Sequence, residues 1–224
     1  MAAENVSDYV NRISAWQLFV NIRSEYLVNY GGTRAYFGVT LMPKPDKYYI
    51  LELVSDPRGY NTVVQETATT VNQNTGTSVT TVTSRSINEQ RLAISAEFGK
   101  RWGDFIFRVG IIESTGGGGV DFLALDDRLK LSMNVYMFTR PTVNTLPRAK
   151  LWLDWRFIRN AYFTAGVDDF LNKWSTGAYP FGPKFSMGTD VFVGAGLVFT
   201  DNDLKALLVG AGSTGAAAAA SVTK

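Results

Sequence analysis

The sequence predicts an all-β fold, an antiparallel up-and-down transmembrane β-barrel of about 12 strands with a short N-terminal helix. Three observations lead to this prediction. Apolar and polar residues alternate with a period of two over most of the chain. Several alternating segments are longer than strands of soluble proteins, and charges of both signs recur on the polar face. Ten to twelve segments are clear, and twelve is favoured because bacterial single-chain barrels have even strand numbers.

The chain divides into three predicted parts. Residues 1–14 carry apolar side chains at helical spacing, so a short helix is expected there. The barrel is predicted over residues 15–209. Residues 210–224 include five consecutive alanines and are predicted to be a disordered tail.

The first predicted strand, residues 16–30, alternates over fifteen residues. A strand of a soluble protein has about 5 to 6 residues, whereas a tilted membrane-spanning strand needs about 9 to 11. Turns rich in Gly, Pro, Asp and Asn separate the later strands. These strands are predicted at residues 35–41, 48–53, 92–98, 105–111, 120–125, 129–138, 149–158, 163–167 and 190–199.

Four segments do not follow the plain alternation. Residues 60–90 are rich in Thr, Val, Asn and Ser, and we expect either two strands that project beyond the barrel or a long mobile loop. The four glycines at 116–119 predict a flexible connection, and residues 169–188 a substantial loop. A short helix is expected over residues 201–208.

The polar face of the strands supplies the candidate lumen residues. Charges of mixed sign at alternating positions are typical of a wet or charge-laddered barrel interior. The alternative is a soluble sandwich or closed barrel, in which the same charges face solvent and the apolar faces form the core. The candidates are Arg23, Glu25, Glu52, Arg91, Glu97, Arg108, Lys130, Lys150, Asp154, Arg156 and Asp168.

Aromatic residues near strand ends form a second candidate set. Aromatic belts hold membrane proteins at the boundaries between lipid and water, so these residues predict a girdle at both ends of the barrel. Residues 194–199 (GAGLVF) also resemble the signal that ends outer-membrane barrels. The girdle candidates are Trp16, Tyr30, Tyr49, Trp102, Trp155 and Phe199.

Composition excludes several classes of function. Lys and Arg total 22 against 20 for Asp and Glu, a balance that offers no field for binding nucleic acid. The chain has no Cys and no His, which removes thiolate and imidazole metal ligands and the usual general base. We therefore predict no enzyme activity, no cofactor and no metal site. No apolar run is long enough for a transmembrane helix.

The N-terminus has no basic region followed by an apolar stretch, so it is not a secretory signal. An outer-membrane protein needs such a signal. We expect the chain to be a C-terminal piece of a longer bacterial outer-membrane protein, in contact with outer-membrane lipids.

Several short stretches resemble the C-terminal barrel region of lipid-transport proteins of the mammalian cell entry (MCE) family. The resemblance implies that residues 4–14 end a helical segment and that the barrel is the outer-membrane terminus of a lipid conduit across the periplasm. Phospholipid cargo and MCE ring or other transport subunits would be its partners. The stretches are residues 6–13 (VSDYVNRI), 44–49 (KPDKYY), 56–59 (DPRG), 166–172 (GVDDFLN) and 199–205 (FTDNDLK).

Two functions follow from these expectations. The first is an outer-membrane barrel that anchors or completes an MCE-type phospholipid transport system of the bacterial envelope. The alternative is a general diffusion pore or small-solute channel whose lumenal charges set selectivity. An enzyme would need a nucleophile beside an oriented base, and no such arrangement is evident.

Overall fold

The computed structural model describes residues 16–71, 78–89, 92–138, 146–178 and 184–204. All but a few of these residues lie in strands or in the turns between them. The strands are β1 (Gln17–Leu27), β2 (Gly32–Lys44), β3 (Lys47–Ser55), β4 (Tyr60–Val71), β5 (Ser78–Glu89), β6 (Leu92–Trp102), β7 (Phe105–Ile112), β8 (Thr115–Ala124), β9 (Leu129–Tyr136), β10 (Arg148–Ile158), β11 (Ala161–Asp168), β12 (Ser175–Ala178), β13 (Lys184–Met187) and β14 (Asp190–Thr200).

Ten of the strands close into one antiparallel barrel, in the order β1, β14, β11, β10, β9, β8, β7, β6, β3, β2. The first and last strands complete the ring, with Val20 opposite Phe199. Closure leaves no sheet edge in the barrel, so each strand finds hydrogen-bond partners on both sides. The predicted antiparallel barrel is therefore confirmed.

The predicted number of twelve strands is wrong. The segment of residues 60–90 does contain two strands, but β4 and β5 pair only with each other, as do β12 and β13. Both hairpins are insertions between strands that neighbour each other in the barrel. Alternation of Thr and Val shows that a segment is a strand, but it does not show which sheet the strand joins.

The two ends of the barrel differ in the length of their connections. At one end, here the turn end, the strands are joined by residues 45–46, 103–104, 125–128 and 159–160. At the other, the loop end, the connections are residues 28–31, 56–91, 113–114, 137–147 and 169–189, and both separate hairpins belong to them.

Strand β7 shows how the two faces of the barrel are used. Phe107 and Val109 expose 48% and 64% of their surface, whereas Arg108 between them exposes 8%. The same alternation runs around the barrel, so large apolar side chains cover its outside and charged ones fill its inside. A water-soluble barrel has the opposite arrangement. Buried apolar clusters inside are small, such as Leu27, Trp152 and Phe192.

The four glycines at 116–119 form part of strand β8, so the predicted flexible connection is wrong. A Cβ atom on Gly119 would lie 2.2 Å from Asn134 Oδ1, and one on Gly117 would lie 2.6 Å from Tyr136 Cβ. The strand carries glycine because bulky side chains of the neighbouring strands occupy the space inside. Gly116 has no heavy atom within 4 Å of its Cβ position.

A short helical turn, residues 201–204, follows β14. Asp203 fixes it, since its carboxylate accepts hydrogen bonds from the Thr200 amide at 2.9 Å and from Asn160 Nδ2 at 2.9 Å. The hydrogen bonds from Thr200 lower the pKa of Asp203 to about 2. The predicted helix over 1–14, the predicted tail, and residues 205–208 lie outside the described residues. No helix in the described part of the chain has the length and apolarity to cross a membrane.

Candidate functional site

The interior of the barrel is the candidate site, because it collects most of the charged side chains singled out in the sequence. Glu52 and Lys130 line interior cavities, Arg156 lies at the exposed rim of the turn end, and Arg91 lies outside the described residues. Seven of the predicted lumen residues are buried inside the barrel: Arg23, Glu25, Glu97, Arg108, Lys150, Asp154 and Asp168.

The largest ion-pair cluster fills the loop end of the barrel. Asp168 accepts from three arginines, at 2.7 Å from Arg34 Nη2, 2.6 Å from Arg58 Nη2 and 2.5 Å from Arg148 Nη2. We call this cluster the loop-end network, and its members are Arg34, Asp56, Arg58, Glu113, Arg148 and Asp168.

The loop-end network spans the full width of the barrel. Arg148 begins β10, and Asp56 follows β3, which lies five places from β10 in the ring of ten strands. Arg148 Nη2 nevertheless lies 3.3 Å from Asp56 Oδ2, and Arg148 Nη1 lies 2.9 Å from Glu113 Oε2. Side chains from opposite walls therefore meet, and the interior is blocked at this level.

Two carboxyl groups of this network lie in connections between strands and have raised pKa values. Burial raises the pKa of Asp56 to about 6 and that of Glu113 to about 7, although Arg34 opposes both shifts. Neighbouring acids contribute to the increase, because three carboxyl groups share one enclosed space. In this network the positive charges of the arginines offset the negative charges of the buried carboxylates.

A second group of polar contacts lies in the middle of the barrel. Lys150 Nζ donates to both carboxylate oxygens of Glu25 at 2.7 Å and to the Tyr36 hydroxyl at 2.7 Å. The Tyr36 hydroxyl in turn donates to Glu25 Oε2 at 3.0 Å, and the Arg23 guanidinium lies 4.0 Å from the centre of the Tyr36 ring. These side chains come from β1, β2 and β10, so the contacts also cross the interior.

Arg108 organises a third cluster on the wall formed by β6, β7, β8 and β9. Its guanidinium donates to Glu97 at 2.7 Å, to both oxygens of Asp121 at 2.9 Å, and to Asn134 at 2.6 Å. A forked guanidinium suits such bidentate contacts. The glycines of β8 leave room for this arrangement, since a side chain at Gly119 would displace Asn134 or Arg108.

The turn end of the barrel contains a cavity of about 430 Å³, here the vestibule. Its walls are largely apolar, with Phe19, Ile50 and Leu123 among them. Its rim carries Arg128 and Arg156, and a smaller cavity of about 110 Å³ lies deeper, beside Arg108. The barrel thus has a chamber at the turn end and a blocked interior beyond it.

The predicted girdle residues divide between the two ends. Trp16, Tyr49, Trp102 and Trp155 are exposed and lie toward the turn end, and Phe199 is half-buried there. Tyr30, at the loop end, turns inward instead: it packs on the buried cluster of Leu27, Trp152 and Phe192, and its hydroxyl donates to the Pro57 carbonyl at 2.8 Å. Tyr30 therefore lies apart from the exposed candidates at the turn end. The loop end exposes Tyr26, Phe138 and Phe170.

Further exposed aromatic rings extend the set at the turn end. Phe157 stacks on Phe163 with 4.4 Å between ring centres, and Phe105 contacts Phe122 at 5.1 Å. Trp102 lies 5.4 Å from Phe107. The outer surface near the turn end therefore carries aromatic side chains on β6, β7, β8, β10 and β11.

The described ranges contain no group of three or more Asp, Glu, His or Cys side chains arranged to hold a metal ion. The carboxylates of the loop-end network accept from arginine instead. The site can bind and orient charged groups, and its carboxyl groups can exchange protons.

Five members of the loop-end network were not among the predicted lumen residues: Arg34, Asp56, Arg58, Glu113 and Arg148. Arg34 continues the polar face of β2 beyond Tyr36, so extending the alternation by one step would have found it. Asp56 and Glu113 lie in connections, where alternation gives no signal.

Comparison with known proteins places the chain in a family. The sequence pattern of a lipocalin-like domain matches residues 18–206, which include every strand of the barrel except the start of β1. The chain belongs to this family of lipocalin-like domains. An uncharacterized protein of Aquifex aeolicus (strain VF5) is 31% identical to it over 202 residues. That alignment covers 88% of this chain and 55% of the relative, so this lipocalin-like domain spans about half the length of that protein.

Among solved structures, the siderophore receptor PirA from Acinetobacter baumannii aligns with 75% of this lipocalin-like domain and 31% of its own chain. The two are 13% identical, with a TM-score of 0.30.

The resemblance to the MCE family is wrong, because the family match over residues 18–206 is to a lipocalin-like domain. One of the stretches that carried it, residues 56–59, has the features of a turn. In residues 56–59, Asp56 Oδ1 accepts from the Arg58 amide at 3.0 Å and Gly59 has φ of 67°. Such Asp, Pro and Gly combinations recur in antiparallel barrels of any family.

Proposed function

We propose that this lipocalin-like domain is an outer-membrane β-barrel, closed to solutes, that anchors a larger protein in the lipid bilayer. The observation that carries the proposal is the distribution of side chains, which is the reverse of that in a water-soluble barrel. Large apolar side chains cover the outside, and buried ion pairs fill the inside. In water this arrangement would expose a continuous apolar surface, whereas in lipid it buries that surface and keeps the charges apart from the hydrocarbon.

The dimensions support a membrane location. Strand β1 has 11 residues, which gives a length of about 36 Å and a height of about 28 Å at a tilt near 40°. The hydrocarbon core of a bilayer is about 30 Å thick, and that of the bacterial outer membrane is thinner than average. Bacterial outer-membrane barrels have an even number of strands and no open sheet edge, and this closed barrel of ten strands has both features.

The unequal connections support an orientation. Outer-membrane barrels have short turns on the periplasmic side and longer loops outside the cell. On this basis the turn end faces the periplasm, and the loop end with its two hairpins faces outward. The aromatic rings near the turn end then lie at the level of the inner-leaflet headgroups.

The anchoring role rests on two further points. The interior is blocked by side chains from opposite walls at the loop-end network, which disfavours the diffusion pore. The Aquifex relative is nearly twice as long as the aligned region, so the barrel of such a protein has a further region to hold at the membrane. A role in MCE-type transport is not part of the proposal, because its basis was the resemblance.

Conductance across a planar bilayer tests the closed barrel. The parent chain is expected to show no steady ohmic current. The double substitution Arg34→Ala/Arg148→Ala removes two of the three arginine side chains of the loop-end network and is expected to give measurable current. Arg159→Ala, at a position where the side chain is 73% exposed at the turn end, is the matched control and stays closed. Steady current through the parent chain would favour the pore instead.

A further inference from the structure

The rim of the vestibule carries two arginines that form no ion pair with another described residue. Five cationic side chains and three carboxylates line the vestibule. Arg101 pairs with Asp127, Arg108 with Asp121, and Lys130 with Asp154. Arg128 and Arg156 make no ion pair within the described residues, so the vestibule has an excess of two positive charges at its mouth.

Arg128 and Arg156 lie next to each other at the turn end. Arg128 ends the 125–128 turn, and its carbonyl oxygen accepts a hydrogen bond of 2.8 Å from the Arg156 amide. Both side chains are exposed and reach the same cavity. Two adjacent guanidiniums can donate to several oxygens of one phosphate group, a geometry that arginine favours.

The surroundings of the pair favour a ligand with an apolar part. Arg156 lies between Trp155 and Phe157 along β10, and both rings are exposed on the outer surface. Elsewhere around the mouth, on β1, β2 and β14, the wall of the vestibule includes the apolar side chains Phe19, Met42 and Val198. A phosphate with a hydrocarbon tail could place its charge at the rim and its tail against these walls.

We propose that Arg128 and Arg156 bind the phosphate headgroup of an anionic phospholipid, with the start of an acyl chain entering the vestibule. The inference deepens the proposed function, because the aromatic rings beside the pair place it at headgroup level in a membrane.

The test is calorimetric titration of the full chain in phosphatidylcholine nanodiscs with dihexanoylphosphatidylglycerol, a soluble short-chain anionic phospholipid. Titration of empty nanodiscs supplies the background. Saturable binding by the parent chain is expected. Arg128→Gln/Arg156→Gln should weaken it at least tenfold, whereas Arg159→Gln, at the same end but not lining the vestibule, should leave it unchanged.

Three results would overturn the proposal. The first is equal binding by the parent and the double variant. The second is binding of glycerol 3-phosphate as tight as that of the lipid, which would indicate a site for free phosphate compounds. The third is equal binding of the zwitterionic dihexanoylphosphatidylcholine. If the chain does not enter nanodiscs, the proposed membrane location fails, and the same titration in lipid-free buffer still tests the two arginines.

Discussion

Asp168 illustrates how single residues hold this barrel closed. Its carboxylate, with no exposed surface, accepts from the guanidiniums of Arg34, Arg58 and Arg148. Buried ion pairs of this kind add little net stability over apolar packing, but loss of one partner leaves the others buried without compensation. The position of each member is therefore tied to all the others, and the network acts as one unit.

Glu113 makes the stability of this unit depend on pH. Its folded-state pKa of about 7 is above the ordinary value of 4.5, mainly because the carboxyl is buried. The folded protein therefore binds this proton more tightly than the unfolded chain does, so the contribution is fully present below pH 4.5. It is lost as pH rises through about 7. We expect the free energy of unfolding to fall by about 1 to 3 kcal/mol between pH 5 and 8.

The measurement is guanidinium-induced unfolding at several pH values for the parent and for Glu113→Gln. The variant has no ionisable group at this position, so its free energy of unfolding should change less with pH. Asp56, with its pKa of about 6, supplies the remaining dependence. Asp104→Asn, an exposed change in the 103–104 turn, should keep the full dependence. A Glu113→Gln variant with the parental pH profile would contradict this origin.

At the scale of the element, strand β8 owes its glycines to the side chains that fill the interior. Ala at 119 would place its Cβ 2.2 Å from Asn134 Oδ1 and 2.9 Å from the Met133 carbonyl oxygen. Gly116, in the same strand, has free space at its Cβ position. We expect Gly119→Ala to lower the free energy of unfolding by about 1 to 3 kcal/mol, the usual cost of overpacking.

Gly116→Ala is the matched control, since it makes the same chemical change in the same strand. It should be neutral or slightly stabilising because alanine restricts the unfolded chain. Denaturant unfolding of both variants in one detergent gives the comparison. Equal effects would show that the glycines reflect local strand geometry and not the packing of Arg108 and Asn134.

These elements also show what could be predicted from the sequence. The strands with clear alternation, such as β1 and β7, and the sides to which their charges point follow from a period of two. Only the second half of β8 was predicted, as a strand over residues 120–125, because the glycines at 116–119 have no side chains that could show an alternating pattern. The separate β4–β5 hairpin was counted with the barrel because strand partners are set by long-range pairing that a local pattern does not encode.

The charge cluster could be predicted in part. Arg108 and Asp168 were identified from alternation, but their partners Asp121 and Arg34 were not, because pairing requires the order of strands around the barrel. The family resemblance was wrong for a related reason: turn motifs depend on local backbone geometry, which unrelated barrels share.

At the scale of the whole molecule, the inverted distribution of apolar and charged side chains separates a membrane barrel from a soluble one. Val109, near the middle of β7, exposes 64% of its surface on the outside. In a bilayer, Val109→Arg would place a charge in hydrocarbon at a cost of about 2 to 4 kcal/mol. In water, the same change on an exposed strand face would alter stability by about 0.5 kcal/mol or less.

Urea unfolding in lipid vesicles measures this difference. Leu125→Arg is the matched control, since Leu125 is equally exposed, at 69%, but lies in the 125–128 turn at the end of the barrel. The cost of a charge falls to about 0 to 1 kcal/mol near the membrane interface, so this variant should resemble the parent. If Val109→Arg lowers the free energy of unfolding and Leu125→Arg does not, the outer face lies in lipid. Equal, small effects would place it in water and make the domain a soluble barrel with a charged core.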